Sequence, residues 1–410
     1  MSKKIIYLVL VVALLFPMAL SVATAAPLEQ ETIYTIVLGD NLWTLAEKYL
    51  GSGAVYRAIV LATKAKHAED PTFAKIENVS LIYPGWKLLI PSAEDAEELM
   101  ALVPRVGLVT DVGKVNDGTF NEFAYKGMMQ AVEEFGLESA FIETLAPTDY
   151  EKNITQFAEE GYDVIITVGF MIGDATRKVA PDYPDIKFAG VDQFQPDVID
   201  NVMGMLFSED ESGFLAGALA GQMTQSKTVG IVCGMEIPPV VKFRKGYENG
   251  VRSVCPDCTV LGLYIDSFTD PARGKEAALS QMAEGADVIF GAGGPTGSGG
   301  ILAAAAEGVW VIGVDQDEYL TSFGRGSVEG HDKLLSSAMK RVDVSVYTAI
   351  KNVVKGAFEG GNALFYAENE GVGLAPFHDA EDAIPQEVKD KLEEIYQGLA
   401  DGTIITDVEL

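Results

Sequence analysis

Between Asp111 and Gly127 the chain reads DVGKVNDGTFNEFAYKG, and its loop, through Asn121, gathers two carboxylates (Asp111, Asp117), two amides (Asn116, Asn121) and one ring (Phe120). A flat, polar small molecule needs such a set, with a face to stack on and edges to hydrogen-bond. The competing reading makes Phe120 ordinary core and has Asp117 and Thr119 form a turn that caps a helix. Farther along, Gly-Val-Asp-Gln occurs twice, ending in Asp192-Gln193 and Asp315-Gln316. A carboxylate at that place accepts hydrogen bonds from hydroxyls or amines, unless it is a capping or turn residue. The run Gly293–Gly300 (GGPTGSGG) lacks the lysine of a phosphate-binding loop and the spacing of a dinucleotide fingerprint. It reads as a close-approach loop, in which missing side chains let backbone groups touch a ligand. With only three histidines, none beside a cysteine or in H-E-x-x-H, histidine-based or zinc chemistry has little support. No metal or cofactor is expected. An exported hydrolase using Asp192 and Asp315 as acid and base is the alternative from another class.

Those residues need elements to hold them. The apolar run Val106–Val109 leads into the first stretch and a helix-like run, Asn121–Phe135, leaves it. Strand, loop and helix in that order put the loop at the carboxyl end of a strand, where open parallel sheets bind ligands. Similar alternation continues. Strands are expected near Val106, Phe141, Val164, Lys187 and Val202, then near Val229, Val260, Val288 and Val311. Helices are expected over 121–135, 149–160, 173–179, 208–225, 241–254, 272–284 and 301–307. The pattern is that of parallel sheets covered by helices.

The body is also a tandem. Gly161-Tyr162-Asp163-Val164-Ile165 is echoed by Gly285-Ala286-Asp287-Val288-Ile289, and the two Gly-Val-Asp-Gln runs follow in the same order. A weaker pair, Ala124-Tyr125-Lys126-Gly127 and Phe243-Arg244-Lys245-Gly246, falls at nearly the same spacing. Two similar lobes with strand ends inward would hold a ligand in the cleft between them. The lobes are expected over 104–205 with 331–355, and 206–330 with 356–410. Crossings then fall near Leu206, near Gly330 and after Lys355, and the run Lys333–Val354 belongs to the first lobe as a helix.

Lys3 and Lys4, the apolar run Ile5–Val22 and Ala23-Thr24-Ala25 read as a signal peptide over 1–25, with an uncleaved anchor as the alternative. No cysteine lies near that site, so the product is expected to be exported and not lipidated. The chain holds three cysteines in 410 residues. Cys255 and Cys258 could close a small local disulfide, and Cys233 ends an apolar run and is expected buried. A formal net charge of −30 repels nucleic acid and anionic lipid, so neither is an expected partner.

Residues 32–92 form a unit of strand, helix, helix and strand that carries GDNLW and YPGWKLLIP. It resembles the LysM module, which implies binding to N-acetylglucosamine-containing glycans such as peptidoglycan. The stretch from Lys64 to Val79 is longer than that family's, and its asparagine after the second helix is not evident. A charged, alanine-rich linker is expected over 93–103.

From Arg105 to the C-terminus the motifs DVGKVNDGTFNEFAYKG, YPDIKFAGVDQ, VVKFRKGYENG, YIDSFTDPARGKEAA, GAGGPTGSGG, WVIGVDQDE and SSAMKRVDVSVY appear in order. Together they resemble the basic membrane protein family, substrate-binding proteins of ABC importers. The resemblance implies an α/β, two-lobed type I periplasmic-binding-protein fold, a purine nucleoside as ligand, an ABC permease as partner, no enzyme activity, and a monomer. It implies that Asp111 and Asn121 bond the base edge, with Phe120 on one face and Phe268 on the other. Phe243 is a further wall. Asp192, Asp315 and Lys340 would hold the ribose, with backbone from Gly294. The competing reading of Lys340 is a solvated lysine beside Arg341 on a helix. Family members usually hang from a lipidated cysteine, a part the LysM-like unit would take over here.

Overall fold

The computed structural model describes residues 30–409. The signal-like segment over 1–25 lies outside the described residues. Two compact units are present, one running through Ile76 and resuming over Leu81–Leu102, the other comprising Glu77–Ser80 and the chain from Val103 onwards.

In the first unit β1 (Thr32–Thr35), α1 (Leu42–Leu50) and α2 (Tyr56–Glu69) are followed by β2 (Lys87–Ile90), which pairs antiparallel with β1. Asp40 closes the turn after β1 by accepting from the Val37 N–H and the Tyr34 hydroxyl, each at 2.8 Å. Asn41 then caps α1 through the Thr44 N–H, and Gly51 ends that helix in the left-handed conformation. Leu42, Leu45, Ala46, Ile59, Leu88 and Ile90 fill the core. The expected linker is not one. Residues Ala93–Met100 form α3, capped by Ser92, and α3 packs on α2 within this unit. Its four acidic residues read as a solvated tether, whereas Ala96 is buried and Ser92 caps the helix through the Asp95 N–H.

The second unit holds two six-stranded sheets. The first lobe runs β3 (Arg105–Thr110), α4 (Phe120–Phe135), β4 (Glu138–Ile142), α5 (Tyr150–Glu159), β5 (Val164–Val168), α6 (Gly173–Val179), β6 (Lys187–Val191) and β7 (Val202–Phe207). The second runs α7 (Glu209–Met223), β8 (Thr228–Cys233), α8 (Pro238–Val254), β9 (Thr259–Tyr264), α9 (Pro271–Ala283), β10 (Val288–Ala292), α10 (Gly294–Ala306), β11 (Trp310–Asp315) and β12 (Leu334–Lys340). Next come α11 (Val342–Val354), β13 (Gly361–Phe365), β14 (Val372–Leu374) and α12 (Gln386–Ala400). Strands β3 to β7 pair in parallel, and β13 adds to them beyond β7. Strands β8 to β12 form the equivalent parallel sheet, with β14 antiparallel at its edge.

The strand order corrects the lobe boundaries. The chain passes between sheets after Phe207, after Lys340 and after Phe365. Crossings expected near Gly330 and after Lys355 were both placed too early. Leu334–Lys340 is a strand of the second lobe rather than the start of a helix, and only α11 joins the first lobe, against α4. The sequence LLSSAMK mixes buried apolar and small polar residues, which blurs the period that would separate a strand from a helix. Gly294–Gly300 is likewise not a loop but the first turns of α10. Its glycines serve packing, since a Cβ on Gly299 would overlap the backbone of Pro271.

Helix packing sets the walls of the cleft. Along α4 the residues Phe123, Ala124, Gly127, Met128, Ala131, Val132 and Phe135 are buried at helical spacing, and Gly136 ends the helix in the left-handed region. Helices α7 and α8 touch backbone to backbone through Gly213, Gly217, Gly246 and Gly250, where any Cβ would strike the partner helix. This close approach carries Phe243 inward. Cys233 is buried at the end of β8, and Cys255 and Cys258 are joined by a disulfide after α8.

Candidate functional site

Parallel pairing aligns the carboxyl ends of the strands, and those of the two sheets face each other. Asp111 directly follows β3, Asp192 follows β6, Asp315 ends β11, and Lys340 ends β12. Phe120 and Asn121 open α4, Phe243 comes from α8, Phe268 from the loop before α9, and Gly294 from the start of α10. All nine residues singled out in the sequence line one cavity, which encloses about 630 Å³ of empty space with its open mouth included.

Asp192 and Asp315 have φ of 62° and 66°, in the left-handed region. For a residue with a side chain this conformation costs of order 1 kcal/mol or more and marks functional sites when it persists. The two stand at matching places in the repeat, and each turns its carboxylate into the cavity. Among the described residues neither accepts a bond from a backbone N–H, so the capping alternative fails for both. It holds for Asp117, which accepts from the backbone N–H groups of Thr119, Asn121 and Glu122 and from Asn121 Nδ2 at 2.9–3.1 Å. That carboxylate builds the turn from which Phe120 emerges.

Lys340 is 1 % exposed, which overturns the solvated alternative. Its Nζ lies 2.7 Å from Asp192 Oδ2 and 2.9 Å from Glu209 Oε1. It also sits 5.1 Å from the Phe120 ring centroid and 5.0 Å from that of Phe207. Lys242 supports the far side of Glu209 at 3.1 Å. A buried charge needs such partners, because removal from water costs several kcal/mol per ion.

Acids outnumber cations around the cavity, and their proton affinities rise. Burial pushes Asp111 up to about 7, with the charges of Asp192 and Asp117 adding to it against a hydrogen bond from the Val112 N–H. Burial likewise raises Asp315 to about 7 against the pull of Lys340. Asp192 is raised by burial to about 6, again opposed by Lys340. Burial alone would lower Lys340, but Asp192, Glu209 and Asp315 together hold it above its ordinary value.

The polar atoms left over are nearly all acceptors. Asn121 Nδ2 donates to the Val112 carbonyl and to Asp117, while Asn121 Oδ1 is buried without a partner. Asp192 Oδ1 and Thr119 Oγ1 are in the same position. Buried polar atoms are seldom left unpaired in a native protein, and those that are need an explanation.

Four residues of the site escaped the sequence reading. Phe170 lines the cavity after β5, and Glu209 anchors Lys340. Gln316 bonds across the cleft, and Glu318, wholly buried, accepts from Ser298 at 2.8 Å and from the Val314 N–H at 3.0 Å. Gln316 had a signal, being the repeat partner of Gln193. Glu209 had none, because one of three consecutive acids at a helix start reads as dipole compensation.

Two parallel-sheet lobes whose strand ends enclose an aromatic, acid-rimmed cavity define a bilobal ligand-binding protein. The family model described as Bmp, ABC transporter substrate-binding protein PnrA-like, matches residues 105–401, and the chain belongs to that family. Its members are substrate-binding proteins rather than enzymes. An ABC transporter nucleoside-binding protein, BmpA, of Lactococcus lactis subsp. cremoris is 32% identical over 314 residues, covering 73% of this chain and 88% of its own. An uncharacterized lipoprotein of Pyrococcus abyssi is 32% identical over 286 residues, 66% of this chain and 68% of its own. Among solved structures, an ABC transporter solute-binding protein of Aeropyrum pernix K1 is 30% identical with a TM-score of 0.67, covering 75% of this chain and 94% of that one. The lipoprotein name of the Pyrococcus relative runs against the expectation of a chain without lipid. Among the described residues no helix is long and apolar enough to cross a membrane.

Proposed function

We propose that this substrate-binding protein takes up a nucleoside, with a purine as its base, outside the cytoplasm and delivers it to an ABC permease. The observation that carries the reading is the pair of unpartnered acceptors between aromatic walls, Asn121 Oδ1 and Asp192 Oδ1, with the carboxylate of Asp315 lining the same cavity. A nucleoside supplies what they lack, namely ribose hydroxyls and base N–H groups as donors, and a flat base for Phe120, Phe243 and Phe268. Asp111 and Asn121 take the base edge, Asp192, Asp315 and Lys340 the ribose, and Gly294 adds backbone. A free sugar would use the rim but bring no flat base to lie between the rings. The name of the Lactococcus relative points the same way. Isothermal titration with inosine, guanosine, adenosine, cytidine and ribose is the test. Binding of ribose as tight as that of any nucleoside would refute it.

The first unit supports a second role, retention on wall glycan. Trp43 and Tyr83 are 53% and 52% exposed, and Leu38 at the first turn is 92% exposed, so the unit offers rings and apolar surface to a sugar face. The protein should sediment with peptidoglycan sacculi through this unit. Full recovery in the supernatant would end that part of the proposal.

A further inference from the structure

The repeated Gly-Val-Asp-Gln runs place two glutamines in equivalent positions, yet the two do different things. Gln193 stays within its own lobe. Its Nε2 donates to the carbonyls of Thr167 and Gly169, each at 3.1 Å, and so fixes the end of β5. Gln316 reaches out of the second lobe instead. Its Nε2 donates to the carbonyl of Thr119 at 3.0 Å, and its Oε1 accepts from Lys126 Nζ at 2.8 Å. Thr119 immediately precedes α4, whose first residue is Phe120, and Lys126 lies on the same helix. One amide thus grips both the start and the exposed side of the helix that carries the ring.

The loop bearing Gln316 is built to be stiff. Glu318, two residues on, is held by Ser298, Ser322 and the Val314 N–H. Asp317 takes a bond from His378 at 2.7 Å. A second bond across the cleft runs beside the first, from Thr321 Oγ1 to the Gly118 carbonyl at 2.7 Å. Such bonds join residues of different lobes, so they exist only while the lobes are shut. Both lobes are rigid α/β layers, and hinge closure is the motion their three crossings allow.

We propose that Gln316 is the latch of this protein: a positioning residue that holds the lobes closed and, through Thr119, sets Phe120 against the ligand. It touches the protein on both sides of the cleft rather than the ligand itself. Its contribution therefore falls on the lifetime of the closed state. The ligand arm of the test rests on the nucleoside reading above, whereas the ligand-free arm does not.

The test uses the full chain with Lys152→Cys and Lys275→Cys, two exposed positions in opposite lobes, carrying spin labels for distance measurement. Labels are confined to these sites because Cys233 is buried and Cys255 and Cys258 are paired. Gln316→Ala should shift the distance distribution to longer values and, with inosine, raise the dissociation rate about tenfold, as expected for losing two hydrogen bonds. Gln316→Glu keeps a partner for Lys126 but sets an acceptor against the Thr119 carbonyl, so it should open the lobes as well. Lys126→Met removes a half-exposed side chain that also pairs with Glu122, and should give a smaller shift in the same direction. Distributions for Gln316→Ala and Gln316→Glu that match wild type, with and without inosine, overturn the latch. Failure of wild type to bind inosine in isothermal titration overturns the nucleoside reading instead, while the ligand-free comparison still decides the latch.

Discussion

Lys340 Nζ and Asp192 Oδ2 lie 2.7 Å apart although they end strands of different sheets, which makes their ion pair a bond between the lobes at the base of the cleft. Glu209, the first helical residue after the first crossing, completes it at 2.9 Å. One cation therefore answers two buried carboxylates at the point where the chain changes lobes.

Lys340→Met leaves those carboxylates short of a partner. Breaking a buried pair from one side costs about 3–5 kcal/mol, softened here by Lys242, which still faces Glu209. Urea unfolding at neutral pH should show a loss of that order. The loss should shrink toward pH 5, as Asp192 takes up a proton in its place. A variant as stable as wild type at both pH values would show that the pair carries no net stability.

The acids of the cavity also set how the unliganded protein responds to pH. Asp111, Asp315 and Glu318 are all raised to about 7 by burial, from ordinary values of 3.8 and 4.5. The folded state then binds more protons than the unfolded chain between about pH 4 and pH 7, so stability falls as pH rises through that window. The unliganded protein should melt at a higher temperature at pH 5.5 than at pH 8. Asp315→Asn should flatten part of that slope, and a slope of the opposite sign would contradict the burial argument.

Much of this was legible beforehand, and the exceptions share a cause. The strand–loop–helix order around Asp111, the duplicated Gly-Val-Asp-Gln and the doubly covered sheets follow from period and repetition, which are local properties. What a residue meets across the fold is not local. Glu209 looks like any acid at a helix start, and LLSSAMK carries no clean period, so neither the anchor of Lys340 nor the strand it ends was readable. Gly294–Gly300 misled for the opposite reason. Glycines that signal a loop in isolation here admit a neighbouring backbone, a demand made only by the packed helices.

Close helix contact gives a prediction on stability alone. Gly217 of α7 faces the carbonyl of Tyr247 in α8 with no room for a Cβ. Gly217→Leu must push the helices apart and displace Phe243 from the cavity wall. Overpacking of this kind costs about 1–3 kcal/mol, sometimes more. Calorimetry should show the loss, and an unchanged melting temperature would mean that α7 and α8 part without penalty.

On the proposed nucleoside reading, the choice among purines follows from which atoms at the base edge are free. Asn121 has spent its N–H groups on Val112 and Asp117, so it can only accept, and ionised Asp111 can only accept as well. Hypoxanthine and guanine offer an N1–H at the corresponding edge, and guanine adds an amino group. Adenine offers its amino group beside an N1 that is itself an acceptor. Facing two acceptors leaves a buried polar group unpaired, which costs about 1–3 kcal/mol. Inosine and guanosine should therefore bind at least about tenfold more tightly than adenosine at pH 8. Below about pH 7, where Asp111 takes up a proton and becomes a donor, the gap should narrow. Asp111→Asn should narrow it at every pH by supplying an N–H. Titration of the three nucleosides at pH 8 and pH 6 decides the matter, since equal affinities at both would mean that the base edge does not lie against Asp111.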